Sequence, residues 1–197
     1  MYISYNLIDN KKIIVIEIKN AHHQSITNFR HYLDEIYKRD LIISISCEDN
    51  NIKLWNIQSW ECLLNIEKIN LDGNLDSACF LRNHNEIYII TSNEKDKDHL
   101  TDNIKAFDIK GNKIRDINDS NEDIFYIDTY YDKQLSKNNI ITGNYSFIKS
   151  FDFNLNKIYY IYCYEGQFIY RSIIVNSSAS FYVIHHSIVA NCFAIIM

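Results

Sequence analysis

A chain of 197 residues, 47% hydrophobic and 23% charged, has the apolar content to bury a core and does not read as a disordered polymer. Its formal charge of −5, with acidic and basic residues mixed along the chain, argues against a surface that tracks nucleic-acid phosphates. With no proline and four glycines, a glycine-rich phosphate loop is excluded, and the turns fall to Asn, Asp and Ser, which tolerate left-handed backbone better than other side chains.

In chain order, residues 2–7 and 12–18 are two short apolar runs separated by Asp9-Asn10-Lys11, and Ile14, Ile16 and Ile18 alternate as on a strand. After the turn Asn20-Ala21-His22-His23 comes a first full unit, with strands predicted over 25–32, 41–47, 51–57 and 61–66. The turn Glu48-Asp49-Asn50-Asn51 has hairpin chemistry. A second unit predicts strands over 77–81, 87–91, 104–109 and 113–117. The charged run 93–99 between its middle strands reads as a solvated loop. A third unit predicts strands over 125–131, 139–142, 147–153 and 157–163. Four short strands with polar turns, repeated, indicate an all-β repeat fold.

Past Arg171 the chain changes character, because residues 172–197 contain no Asp, Glu, Lys or Arg. A membrane-spanning helix needs about 20 predominantly apolar residues. Asn176, Ser177, Ser178, Ser180, His185, His186 and Asn191 set this stretch against a span. Strands over 168–175 and 180–184 are expected instead, as the start of an incomplete fourth unit; an aberrant charge-free tail is the other reading. The N-terminus has neither a basic region nor a long apolar run, so no secretory signal is expected. Cys47, Cys62, Cys79, Cys163 and Cys192 are odd in number, lack Cys-x-x-Cys spacing and lie in apolar runs. They are expected to be buried reduced thiols of a cytoplasmic protein.

One phrase recurs: Ile-Lys, any residue, a large aromatic, then Asn or Asp. It stands at Ile52-Lys53-Leu54-Trp55-Asn56, Ile104-Lys105-Ala106-Phe107-Asp108 and Ile148-Lys149-Ser150-Phe151-Asp152. The aromatics are 52 and 44 residues apart, near the repeat of about 40–45 residues of one propeller blade. Asn112-Lys113-Ile114 and Asn156-Lys157-Ile158 follow in the same register, and Tyr2-Ile3-Ser4-Tyr5-Asn6 reads as a worn copy 50 residues before the first.

These units resemble WD40 repeats, the blades of β-propellers, over roughly residues 1–165. Trp55-Asn56 stands where the family has Trp-Asp, and Asp49, six residues earlier, matches its turn aspartate. On the resemblance, His23 takes the place of the family's Gly-His histidine and Cys47 the place of its Ser or Thr. The polar brace that those residues form within a blade would then be incomplete, because a thiol is a weak donor. Phe107-Asp108 and Phe151-Asp152 keep the aromatic–acid ending without an indole N–H, so the second and third blades are expected to rely on packing. The run 131–145 resembles divergent WD40 proteins of protist type. The resemblance implies a propeller fragment of about three full four-stranded blades (units about 21–66, 75–117 and 124–163), with partial blades at both ends.

No residue pattern points to catalysis, a metal or a cofactor. His22-His23 and His185-His186 are adjacent pairs, which on a strand point to opposite faces and rarely share one metal. Cys47 lacks the glycine-rich oxyanion turn of a thiol nucleophile. The dense tyrosines from Tyr126 to Tyr164 are expected to pack between blades rather than stack on bases. The expected function is a non-catalytic protein–protein interaction scaffold that binds neither nucleic acid nor membrane and self-associates through its open blade ends. The alternative is the regulatory portion of a larger enzyme whose catalytic domain lies outside this chain.

Overall fold

The computed structural model describes residues 2–6, 11–16, 18–67, 75–93, 104–117, 124–133, 136–143, 147–154, 156–162, 172–177 and 180–185. The protein is all β, with no helix among the described residues. An N-terminal hairpin pairs β1 (Tyr2–Asn6) with β2 (Lys11–Ile16). The first four-stranded sheet is β3 (Asn28–Asp34), β4 (Arg39–Ser46), β5 (Asn51–Asn56) and β6 (Glu61–Ile66). The second is β7 (Leu75–Asn83), β8 (Glu86–Asn93), β9 (Ile104–Asp108) and β10 (Lys113–Ile117). The third is β11 (Tyr126–Asp132), β12 (Lys137–Gly143), β13 (Phe147–Phe151) and β14 (Lys157–Tyr162). A last hairpin pairs β15 (Ser172–Ser177) with β16 (Ser180–His185). Every sheet is an antiparallel meander in chain order, and none closes on itself.

Each predicted strand has a counterpart, most with bounds within two residues; the strand expected over 168–175 is described as Ser172–Ser177, with 168–171 outside the described residues, and the shift of one other strand has a cause. The first strand of the first sheet begins at Asn28 rather than Ser25 and continues to Asp34. Upstream, the His23 and Gln24 N–H groups donate to Asp49 and hold that part of the chain away from the ladder, while the Thr27 N–H still reaches the Ile45 carbonyl at the end of β4. The turns use left-handed backbone at Asn20, Asn50 and Ser136 as expected, but also at Lys38, Trp60 and His84. The predicted solvated loop at 93–99 lies outside the described residues but for the Asn93 backbone, as do Cys163, Cys192 and the end of the chain beyond His185.

Period-two alternation decides how the sheets stack. Along β7, Ala78 and Phe80 join Leu41, Ile43, Ile45, Ile52 and Leu54 of the first sheet in one core. Their neighbours Cys79 and Leu81 join Ile127, Ile140 and Phe151 of the third sheet in another. β8 divides the same way, with Ile87 and Ile89 in the first core and Tyr88 and Ile90 in the second. The second sheet is therefore apolar on both faces and lies between the other two. The backbones of neighbouring sheets approach most closely at their first two strands, with β7 against β3 and β4 on one side and β11 and β12 on the other.

Gly111, in the turn from β9 to β10, has φ +89°, and a Cβ there would sit 2.9 Å from Leu64 Cδ1 of the first sheet. Gly111→Ala is expected to lower stability by about 1–2 kcal/mol, since alanine is strained at positive φ. Denaturant unfolding of the purified variant measures this; an unchanged midpoint would mean that the turn relaxes freely.

Candidate functional site

The densest polar constellation lies on the first sheet, where three side chains separated in sequence meet below the surface. Trp55 on β5 pairs across the ladder with Ile42, two residues along β4 from Ser44. Residues two apart on a strand share a face, so the indole reaches past Ile42 and its Nε1–H donates to Ser44 Oγ at 2.8 Å. The loop before β3 folds over this face and brings His22 Nε2 to 2.7 Å from the same oxygen. The indole can only donate, so the Ser44 oxygen accepts from it, while the direction of the bond between Ser44 and Nε2 follows the imidazole tautomer. The other ring nitrogen, Nδ1, lies 3.9 Å from Asp49 Oδ2. Asp49 Oδ2 accepts the His23 and Gln24 N–H groups at 2.9 and 3.0 Å. Loop, β4, the 47–50 turn and β5 are thus tied into one unit.

This geometry corrects two expectations. His22, not His23, reaches into the sheet: His22 is buried, while His23 is exposed and contributes its backbone N–H. Ser44, not Cys47, supplies the hydroxyl. Cys47 Sγ lies instead 2.9 Å from Thr27 Oγ1 and 3.9 Å from the Asp76 carbonyl, and burial pushes its thiol up. The link from Trp55 to His22 therefore runs through a hydroxyl and needs no weak thiol donor, while His22 Nδ1 makes no hydrogen bond. Ser44 was missed because Cys47 is nearer the turn, yet the repeats carried the signal. Lys53, Lys105 and Lys149 of the recurring phrase pair across the ladder with Ser44, Thr91 and Thr142, so one hydroxyl residue faces each lysine.

Ser44, His22 and Asp49 have the composition of a nucleophilic triad, but Ser44 is 1% exposed. Its oxygen is held between an indole and an imidazole, and the Asp49 carboxylate is engaged by backbone. The arrangement cross-links strands. Partial burial works against ionising Asp49, yet the Gln24 and His23 N–H groups and the Ser46 hydroxyl hold its carboxyl below the usual range. Burial, aided by the positive charge of Lys53, lowers the His22 pKa below its ordinary 6.5.

A histidine that titrates lower when folded takes up its proton more readily when unfolded, so acidification favours the unfolded chain. Thermal stability is expected to fall as the pH drops from about 7 through 6.5 toward the lowered folded value. His22→Gln should be less stable at neutral pH and flatter across that window. Melting curves of both proteins against pH test this; parallel slopes would remove His22 as the cause.

The other marked positions anchor turns and cores. Asn56 Oδ1 accepts the Gln58 N–H. Asp108 Oδ1 accepts from the Lys110 and Asn112 backbones, and its Oδ2 from the Asn112 amide side chain. Asp152 repeats the arrangement with Asn156, at 2.9 and 3.0 Å. Phe107 and Phe151 are buried, Phe107 in the core shared with the first sheet and Phe151 in the core shared by the second and third. Among the described cysteines, Cys79 is buried and Cys47 half-buried, but Cys62 is exposed. The burial expected of Cys62 fails because the outer strand β6 is largely exposed along its first half.

No cluster of three or more His, Cys, Asp or Glu suited to a metal occurs among the described residues. No helix among them is long and apolar enough to cross a membrane. No protein-family model and no curated protein matches the chain.

Proposed function

We propose that the chain is part of a WD40-type β-propeller that acts as a non-catalytic protein–protein interaction scaffold. The observation that carries this reading is the stack itself. Three four-stranded meanders lie face to face and meet through their first strands, the packing expected of blades around an axis. The buried link of His22, Ser44 and Trp55 and the recurring aromatic–acid turns support the same reading. Within it, the turns between first and second strands lie at one end of the stack. There Leu33, Ile36, Tyr37 and Tyr131 are exposed, Tyr37 at 56%, with the Arg39 guanidinium over the Tyr37 ring at 4.9 Å. Exposed aromatics beside arginine are the residues that dominate protein contacts, and this end is the docking surface.

The test is affinity capture from cell extract by the native chain, compared with Ile36→Ser/Tyr37→Ala and with a control variant on the outer strand, Ile114→Ser. Loss of specific partners in the first and retention in the second supports the surface. Equal recovery by all three rejects it.

A further inference from the structure

Residues 22–24 are tied to the first sheet through two oxygen atoms. His22 Nε2 lies 2.7 Å from Ser44 Oγ, the atom that also accepts the Trp55 indole N–H. Asp49 Oδ2 accepts both the His23 and the Gln24 N–H. Asn20, at φ +56°, turns the chain into this crossing, and the Thr27 N–H on the Ile45 carbonyl marks where it rejoins the sheet. The segment is therefore a strap across the face that carries Trp55. On that face Phe29 and His31 pair across the ladder with Ser44 and Ile42, and Phe29 and Leu33 are exposed at 43% and 55%.

The strap has no place for a second proton on His22. The ring is fully buried, and its Nδ1 makes no hydrogen bond. A neutral imidazole carries one N–H; the charged ring carries two. A proton added at Nδ1 faces Asp49 Oδ2, which is 3.9 Å away and already holds two backbone N–H groups. A proton added at Nε2 faces the Ser44 oxygen, which already accepts the indole N–H and would have to turn its own proton elsewhere. Of the charged groups facing the ring, Lys53 and His23 oppose its charging and Asp49 favours it. A buried charge without full pairing is strongly unfavourable. The other histidine of this face, His31, is exposed and paired with Asp40, so its charging disturbs nothing.

We propose that residues 20–26 are an acid-released strap: protonation of His22 lifts the segment from the first sheet and uncovers Trp55 while the rest of the stack stays folded. Segments tied down by few bonds open locally at free energies well below that of global unfolding. The two anchors fail together, because the carboxylate oxygen nearest to Nδ1 is the one that pins the next two residues. Opening adds the Trp55 indole to the apolar surface of Phe29 and Leu33, so the face is enlarged in acid and covered at neutral pH.

The chain has two tryptophans, so Trp60→Phe leaves Trp55 as the sole indole reporter. Acrylamide quenching of its fluorescence should rise several-fold as the pH falls below about 6.5, the ordinary histidine value, while hydrogen exchange shows β11, β12 and β13 still protected. In the same background His22→Gln should show no step in this window and His23→Gln should keep it. Lys53→Met removes a like charge from beside the ring and should move the step to higher pH. Should His22→Gln fail to fold, the other two variants still decide. Quenching that stays low until the third sheet loses protection would overturn the strap. So would a step that persists in His22→Gln, one that His23→Gln abolishes, or one that Lys53→Met leaves in place.

Discussion

Trp55→Ala is expected to cost about 3–5 kcal/mol, the range for truncating a buried aromatic, against a total stability of about 5–15 kcal/mol for a typical domain. Trp55 is 6% exposed, and its removal acts in two ways. It opens a void between the His22 loop and the sheet, and it takes the indole N–H from Ser44 while leaving that hydroxyl buried. A buried polar group that loses a partner costs about 1–3 kcal/mol. Trp55→Phe separates the contributions, since it keeps most of the ring and loses only the N–H. Ser44→Ala should then cost less in a Trp55→Phe background than in the native one, because the two residues share a hydrogen bond. Trp60 sits half-exposed in the turn before β6 with φ +60°, and Trp60→Ala should cost well under half as much. Equal losses in Trp55→Ala and Trp60→Ala, measured by chemical denaturation, would remove Trp55 from its central place.

The strands were legible because their apolar residues alternate and their turns carry Asn, Asp and Ser; the recurring Ile-Lys-x-aromatic phrase gave the register of the third strand in each sheet. The brace was only half legible. Asp49 and Trp55 follow from a fixed distance along a hairpin, where chain geometry leaves little freedom. His22 and Ser44 depend on how a loop without regular structure folds back over β4, and either of two adjacent histidines satisfied the sequence. The backbone decides between them: Asp49 captures the His23 N–H, which turns the neighbouring ring of His22 inward. Left-handed backbone at Lys38, Trp60 and His84 was equally hidden, because tight hairpins impose those angles whichever residue occupies the turn.

Phe151→Ala is the second substitution expected to cost about 3–5 kcal/mol, and it should do so at a different place. Phe151 is 0% exposed and belongs to the core shared by the second and third sheets, with Leu81 and Ile90 on one side and Ile127 and Ile140 on the other. Phe107 belongs to the core between the first and second. In stacked repeats each unit touches only its neighbours, so stability is close to a sum of unit and interface contributions. Losing Phe151 should loosen the third sheet and leave the first two bound to each other, whereas losing Phe107 should loosen the first sheet. Hydrogen exchange resolves the two cases. Amides of β12 and β13 should lose protection in Phe151→Ala while those of β4 and β5 keep theirs, and the pattern should reverse in Phe107→Ala. The environment of Trp55 gives an independent optical reading, little changed by Phe151→Ala and shifted by Phe107→Ala. Uniform loss of protection across all three sheets in both variants would mean that the stack unfolds as a single cooperative body, with the second sheet transmitting the damage from one face to the other.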